Sequence, residues 1–256
     1  MLKRTTAAAR DATRSAVRQE PVGIQNFLLA ALPPDDQARI MPQIDVVPLR
    51  LKDVLHKPGE TIEYVYFPGC GFCSIVTVLE DGSMVEAATV GREGLVGLAA
   101  TLHENPPTTA AMAQSDMDVC YRLKADAFRE EMERCGAFHN TITRYSQALM
   151  AFIMQSAACN ASHSIEQRLA RWLLVAQDRM NANEFLLTQE FIAMMLGASR
   201  STVTTIAGQF QETGYITYRR GRVRIVDRPA LEAASCECYK AGTELLGLGS
   251  EPSACN

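Results

Sequence analysis

Two apolar helical faces, separated by one glycine, restrict this chain more than any other feature. Phe191, Ile192, Met195 and Leu196 form the first face, and Val203, Ile206 and Phe210 the second, with Gly197 between them. Thr188 and Ser199 stand where each helix needs an N-cap oxygen. Gly197 can enter the left-handed conformation that stops a helix. Ala193 is small, as two closely crossing helices require. The segment therefore predicts a helix-turn-helix over Thr188 to Gln211. Arg200, Ser201, Thr204 and Thr205 point outward near the start of its second helix. The first residues of such a helix are the ones presented to base edges in a major groove. Arg200 can offer a bidentate fork to guanine. The hydroxyls of Ser199, Ser201, Thr202, Thr204 and Thr205, with Thr188 and Gln189 at the first helix, can reach bases or phosphates.

The next residues add a second element of the same kind. Tyr215 to Tyr218 and Val223 to Val226 are strand-like and flank Arg219, Arg220 and Arg222, so they predict a hairpin with a basic tip suited to phosphate. The competing reading is an ordinary helix pair with a solvated arginine face. Charge distribution speaks against that reading. The chain carries a net charge of −4, yet Thr188 to Arg228 holds six arginines against three acids. A basic end on an acidic body suits a DNA-binding domain attached to a sensor.

Ile44 to Leu123 has a different texture. Short runs rich in Val, Ile, Thr, Tyr and Phe alternate with turn signals, and Asp81-Gly82 between two such runs marks a hairpin. Many short strands predict an antiparallel β-roll. From Lys124 the pattern is helical. Phe138, Ile142, Tyr145, Leu149, Phe152 and Ser156 form a seam with steps of four and three. Such a seam can pack on its own roll, but one this regular more often pairs with a second copy, so a two-fold homodimer is the expectation. The expected fold class is α+β, with five parts. Residues 1–21 form a mobile basic tail, 22–135 a sensor roll with a short helix from Val22 to Leu32, and 136–160 a dimerisation helix. Residues 161–234 form a winged helix-turn-helix, and 235–256 a C-terminal tail. No run of about 18 apolar residues predicts a membrane span, and no secretory signal is evident, so a cytoplasmic protein is expected.

These residues resemble the Crp/Fnr family of transcription regulators over about Val22 to Leu231. Gly197-Ala198-Ser199-Arg200-Ser201-Thr202-Val203 is similar to the family's recognition-helix signature. The resemblance implies a cyclic-nucleotide-binding-like (cupin-like) roll and a homodimer on a palindromic DNA site. It also implies RNA polymerase as a partner. Arg200 matches the family's guanine-reading arginine, whereas Ser201 and Thr205 stand where well-known members carry Glu and Arg, so the preferred half-site should differ. Val90 to Gly97, including Arg92, Glu93 and Gly97, resembles the region that cradles the nucleotide. Leu98 follows Gly97 where cyclic-AMP binders carry Glu. Thr108-Thr109 replaces their phosphate-binding pair, and Ile153-Met154 replaces the hydroxyls for the base. A phosphate without an arginine partner is poorly held, so cyclic AMP is not the expected ligand and the effector is open. A sensor whose output is mainly protein–protein contact is the alternative.

Eight cysteines remain to be placed. Cys70-Gly71-Phe72-Cys73 and Cys236-Glu237-Cys238 together offer four thiolates for zinc or an iron–sulfur cluster, provided they meet across domains. The first pair is a candidate redox disulfide. Small, partly buried thiols are the plainer expectation, with no metal and no cofactor. His56, His103, His139 and His163 stand at no spacing that suggests catalysis, so no enzyme is expected.

Overall fold

The structure is a computed structural model, and it describes residues 23–101, 106–180 and 182–247. The basic tail at 1–21 and His103 lie outside the described residues. Two short helices, α1 (Phe27–Ala30) and α2 (Pro34–Ile40), open the described chain. Asn26 explains why α1 is so much shorter than the Val22 to Leu32 helix expected. Its Oδ1 accepts from Leu28 N and Leu29 N at 3.1 and 3.2 Å, while its Nδ2 donates to the carbonyls of Pro68 and Gly94 at 3.0 and 2.9 Å. A capping residue tied to two distant loops cannot itself be helical.

The roll follows as β1 (Ile44–Leu49), β2 (Val54–His56), β3 (Tyr64–Pro68), β4 (Cys73–Val78), β5 (Met84–Val90), β6 (Thr109–Ala113) and β7 (Met117–Lys124). All pairings are antiparallel, in a three-stranded sheet β1-β7-β3 and a four-stranded sheet β2-β6-β4-β5. The two sheets face each other. Leu49, Met117 and Cys120 from the first share one buried cluster with Cys73, Val90, Ala111 and Ala113 from the second. The expected Asp81-Gly82 turn joins β4 to β5, with Gly82 at φ +82° and Asp81 Oδ1 accepting from Ser83 N at 2.8 Å.

Helix α3 (Ala125–Glu133) leads to the long helix α4 (Ala137–Ser162). The seam expected to pair with a second copy is turned inward instead. Phe138, Ile142, Tyr145, Leu149, Phe152 and Ser156 are all buried within their own chain. Phe138 stacks edge-on to Phe128 of α3 at 5.6 Å, and Tyr145 Oη donates to the Leu95 carbonyl of the roll. Burial of the Tyr145 phenol pushes its pKa well above the usual value. The physical reason for the correction is simple. A helix beside a barrel must first cover the barrel's open apolar face, and the larger side chains do so. The face left to solvent carries Met150, Ile153 and Met154, exposed by 60%, 37% and 64%.

The last part contains α5 (Ile165–Met180), β8 (Glu184–Leu186), α6 (Gln189–Leu196), α7 (Arg200–Glu212), β9 (Ile216–Arg219), β10 (Arg222–Ile225) and α8 (Arg228–Ala234). Its small sheet runs β8-β10-β9. A final helix, α9 (Cys238–Leu245), lies in the segment expected to be a tail. It packs back on α4, where a Cβ on Gly242 would meet the Phe152 ring at 3.1 Å. Among the described residues no helix is long and apolar enough to cross a membrane.

Candidate nucleic-acid interface

Helices α6 and α7 form from the signals already visible in the chain. Thr188 Oγ1 accepts from Phe191 N at 3.2 Å, and Ser199 Oγ accepts from Thr202 N at 3.1 Å. Gly197 ends α6 at φ 59°, ψ 39°. Val203, Ile206, Ala207 and Phe210 back α7 onto the core, while Arg200, Ser201, Thr202, Thr204 and Thr205 are exposed.

The outward hydroxyls are not all loose. Thr204 Oγ1 donates to the Gln189 side chain at 2.7 Å and to the Arg200 carbonyl at 2.8 Å. Thr205 Oγ1 donates to the Ser201 carbonyl, and Ser199 Oγ is 2.8 Å from both Ser201 Oγ and Thr202 Oγ1. Thr204 and Gln189 therefore bind α7 to α6. The Thr204 proton is committed, whereas Gln189, which accepts through Oε1, keeps its amide N–H donors for a phosphate or a base. Arg200 is the outward group with several uncommitted donors and the reach for a base edge.

The wing is a two-residue turn between β9 and β10. Arg220 and Gly221 both have positive φ, 51° and 76°, the arrangement that matches strand twist. Arg219, Arg220 and Arg222 are exposed at this tip. Arg222 lies 3.5 Å from the exposed Glu184, a weak surface pair. Tyr218 Oη donates to the Leu187 carbonyl at 2.7 Å, which sets the wing against the start of α6. Helix α7 and the basic tip thus belong to one rigid block with a cationic outer surface.

Arg92 and Glu93 do not come together with Thr108 and Thr109 as the expected effector cradle has them. Thr109 pairs with Thr77, while Val90 and Ala113 pair with Cys73. Thr108-Thr109 and Arg92-Glu93 therefore lie at opposite ends of the four-stranded sheet, about 13 Å apart at 3.3 Å per residue. Glu93 is engaged elsewhere. Its Oε1 accepts from Gly91 N at 2.9 Å and from Arg179 of α5 at 2.7 and 3.0 Å, with both side chains almost completely buried. Arg92 lies over the Phe27 ring at 5.0 Å. Gly97 has φ +100°, and a Cβ there would come 3.1 Å from the Tyr64 carbonyl, so this glycine shapes the backbone. Helix α5 also inserts Trp172 against the roll, donating to Glu86 Oε1 at 2.8 Å.

Cys73 is fully buried, and burial pushes its thiol well above the ordinary range. Cys120 beside it is pushed up to about 12 by the same desolvation. Thiols held neutral are poor nucleophiles, so Cys73 is a poor attacking group for a Cys70–Cys73 disulfide. Cys236 and Cys238 do not meet this pair. They meet Cys159 and His163, a grouping that motif spacing did not suggest.

Two family descriptions match the chain in order, a cyclic nucleotide-binding domain over residues 46–135 and a Crp-like helix-turn-helix domain over residues 167–234. The chain belongs to the Crp/Fnr family. The family's proteins are transcription regulators with this arrangement of roll, long helix and DNA-binding domain. No curated protein sequence matches the chain. Solved structures show the likeness of fold. A Crp/Fnr-family protein from Eubacterium rectale is 18% identical with a TM-score of 0.66, over 81% of this chain and 97% of that one. A CRP-family transcriptional regulator from Thermus thermophilus is 22% identical with a TM-score of 0.62, over 73% and 95%. The c-di-GMP-responsive global regulator CLP from Xanthomonas campestris is 12% identical with a TM-score of 0.63, over 76% and 100%. The likeness of fold covers 73–81% of this Crp/Fnr chain.

Proposed function

We propose that the chain is a dimeric, sequence-specific DNA-binding transcription regulator, acting in the cytoplasm on a palindromic site and in contact with RNA polymerase. The observation that carries this reading is the exposed Arg200 at the capped start of α7, beside the arginine tip of the wing. Arg200 reads a guanine, and Arg219, Arg220 and Arg222 hold phosphates. Two copies joined along the exposed face of α4 place two such helices about one DNA turn, roughly 34 Å, apart. The protein has no catalytic role in this reading.

The test is binding to duplexes selected from a random pool, measured at fixed salt. Arg200→Ala is expected to cost about 1–3 kcal/mol on the selected duplex and to relax preference at one base pair of each half-site. Equal affinity and equal preference in the variant would remove Arg200 as a base reader.

The roll, in the same reading, does not hold cyclic AMP. Support comes from the Glu93–Arg179 pair, which commits the cradle-side carboxylate to α5, and from the distance between Thr108-Thr109 and Arg92. Calorimetric titration with cyclic AMP is expected to give no heat of binding at micromolar concentration; a saturable isotherm there contradicts it.

A further inference from the structure

Four metal-binding side chains meet where α4 ends. Cys159 lies in the last turn of α4, His163 follows the helix, and Cys236 and Cys238 flank the start of α9. One ligand atom from each lies within 4.8 Å of all the others. Cys159 Sγ is 3.5 Å from Cys236 Sγ, and Cys238 Sγ is 3.6 Å from His163 Nδ1. Zinc binds sulfur at about 2.3 Å and imidazole nitrogen at about 2.0–2.1 Å, so a tetrahedral site has edges of about 3.8 Å between sulfurs and about 3.6 Å from sulfur to nitrogen. The two measured edges lie close to those lengths. A disulfide needs sulfurs about 2.05 Å apart, and the Cys159–Cys236 distance is far longer.

The surroundings fit a thiolate complex better than four free side chains. His163 Nε2 lies 3.2 Å from a Glu237 carboxylate oxygen, which leaves Nδ1 as the ligand nitrogen. A carboxylate on the far nitrogen is how metal-bound histidines are commonly oriented. The Gln155 amide donates to Cys238 Sγ at 3.0 Å, which uses the sulfur as an acceptor. Arg168 and Arg171 are buried beside the thiols, and the Nε of each has no hydrogen-bond partner. Three thiolates around a divalent ion carry a net charge of −1, which answers buried guanidinium groups that neutral thiols would not. Soft sulfur with one imidazole selects zinc over magnesium or calcium. Four protein ligands close the coordination shell, as in structural rather than catalytic zinc sites.

We infer that Cys159, His163, Cys236 and Cys238 form a structural zinc site that fastens the C-terminal helix to the hinge between α4 and the DNA-binding domain. His163 and Ser164, the two residues that join α4 to α5, lie inside the span that the ligands close. The metal therefore holds the junction through which any movement of α4 reaches α5. Cys159 and Cys236 are 77 residues apart, so the site also joins the two ends of the DNA-binding domain.

The test uses the full-length protein purified without chelator. Elemental analysis is expected to find about one zinc per chain. Cobalt(II) added to the metal-free protein should give the intense ligand-field bands of a tetrahedral site, with sulfur-to-cobalt charge transfer. The double variant Cys236→Ser/Cys238→Ser should lose both signals, whereas Cys70→Ser/Cys73→Ser should keep them. His163→Cys keeps a fourth ligand and should still bind cobalt, with stronger charge-transfer absorption. The wild-type cobalt spectrum is decisive even if the serine variants fold poorly. No tetrahedral spectrum, zinc retained in full without Cys236 and Cys238, iron with acid-labile sulfide, or a Cys159–Cys236 disulfide in freshly purified protein would each overturn the assignment.

Discussion

Arg179→Met is expected to lower folding stability by about 3–5 kcal/mol, the usual cost of removing one partner from a buried ion pair. The side chains of Arg179 and Glu93 are exposed by only 1% and 3%. Arg179 also donates to the hydroxyl and the carbonyl of Thr89, so it ties α5 to the end of β5 through two residues. Removing the guanidinium leaves the Glu93 carboxylate buried, with Gly91 N as its remaining donor and its Oε2 already without a partner. The carboxylate must then be protonated, or the DNA-binding domain must part from the roll to admit water. Denaturant unfolding measures the loss. The double variant Arg179→Met/Glu93→Gln should recover much of it, because no uncompensated charge remains. If the double variant is as unstable as the single one, lost packing rather than charge is responsible.

Phe138→Ala is expected to cost about 3–5 kcal/mol, in a way that does not depend on protein concentration. Phe138 is 1% exposed within one chain and stacks on Phe128. Its truncation opens a cavity between α3, α4 and the roll. Met154→Glu addresses the opposite face of the same helix. Met154 is 64% exposed, so its replacement should leave the folded chain intact and instead weaken the proposed dimer, as sedimentation across a concentration series would record. Should Phe138→Ala act mainly on the dimer and Met154→Glu mainly on chain stability, the two faces of α4 have been assigned the wrong way round.

The contrast between these faces shows where sequence reasoning stops. Periodicity located α4 well, since 136–160 was expected and Ala137–Ser162 is observed. It also found the strongest apolar stripe. It could not say whether that stripe meets the chain's own roll or another copy, because both partners reward the same spacing. The grouping of Arg92 and Glu93 with Thr108 and Thr109 failed for a related reason. Arg92, Glu93, Thr108 and Thr109 lie close in sequence across one excursion, but strand pairing sends the two pairs to opposite sheet ends. The cysteines failed more completely. Cys159 and His163 stand at the end of α4, and only the fold brings Cys236-Glu237-Cys238 to them. The C-terminal helix does carry a readable signal, since Cys238, Tyr239, Gly242, Leu245 and Leu246 recur at helical spacing in the segment expected to be a tail.

What the sequence alone determined is short-range. Caps at Thr188 and Ser199, the left-handed Gly197, the Asp81-Gly82 turn and the arginine tip act within a few residues, so the chain itself specifies two crossed helices, a hairpin roll and a wing. What tertiary structure decided is long-range: the inward face of α4, the Glu93–Arg179 pair, and the meeting of Cys159 and His163 with Cys236 and Cys238. The ion pair and the cysteine–histidine cluster join residues more than 70 positions apart, and Tyr145 of α4 reaches Leu95 across 50. Such contacts depend on which surfaces are left to bury once the local elements have formed, and no local pattern carries that information.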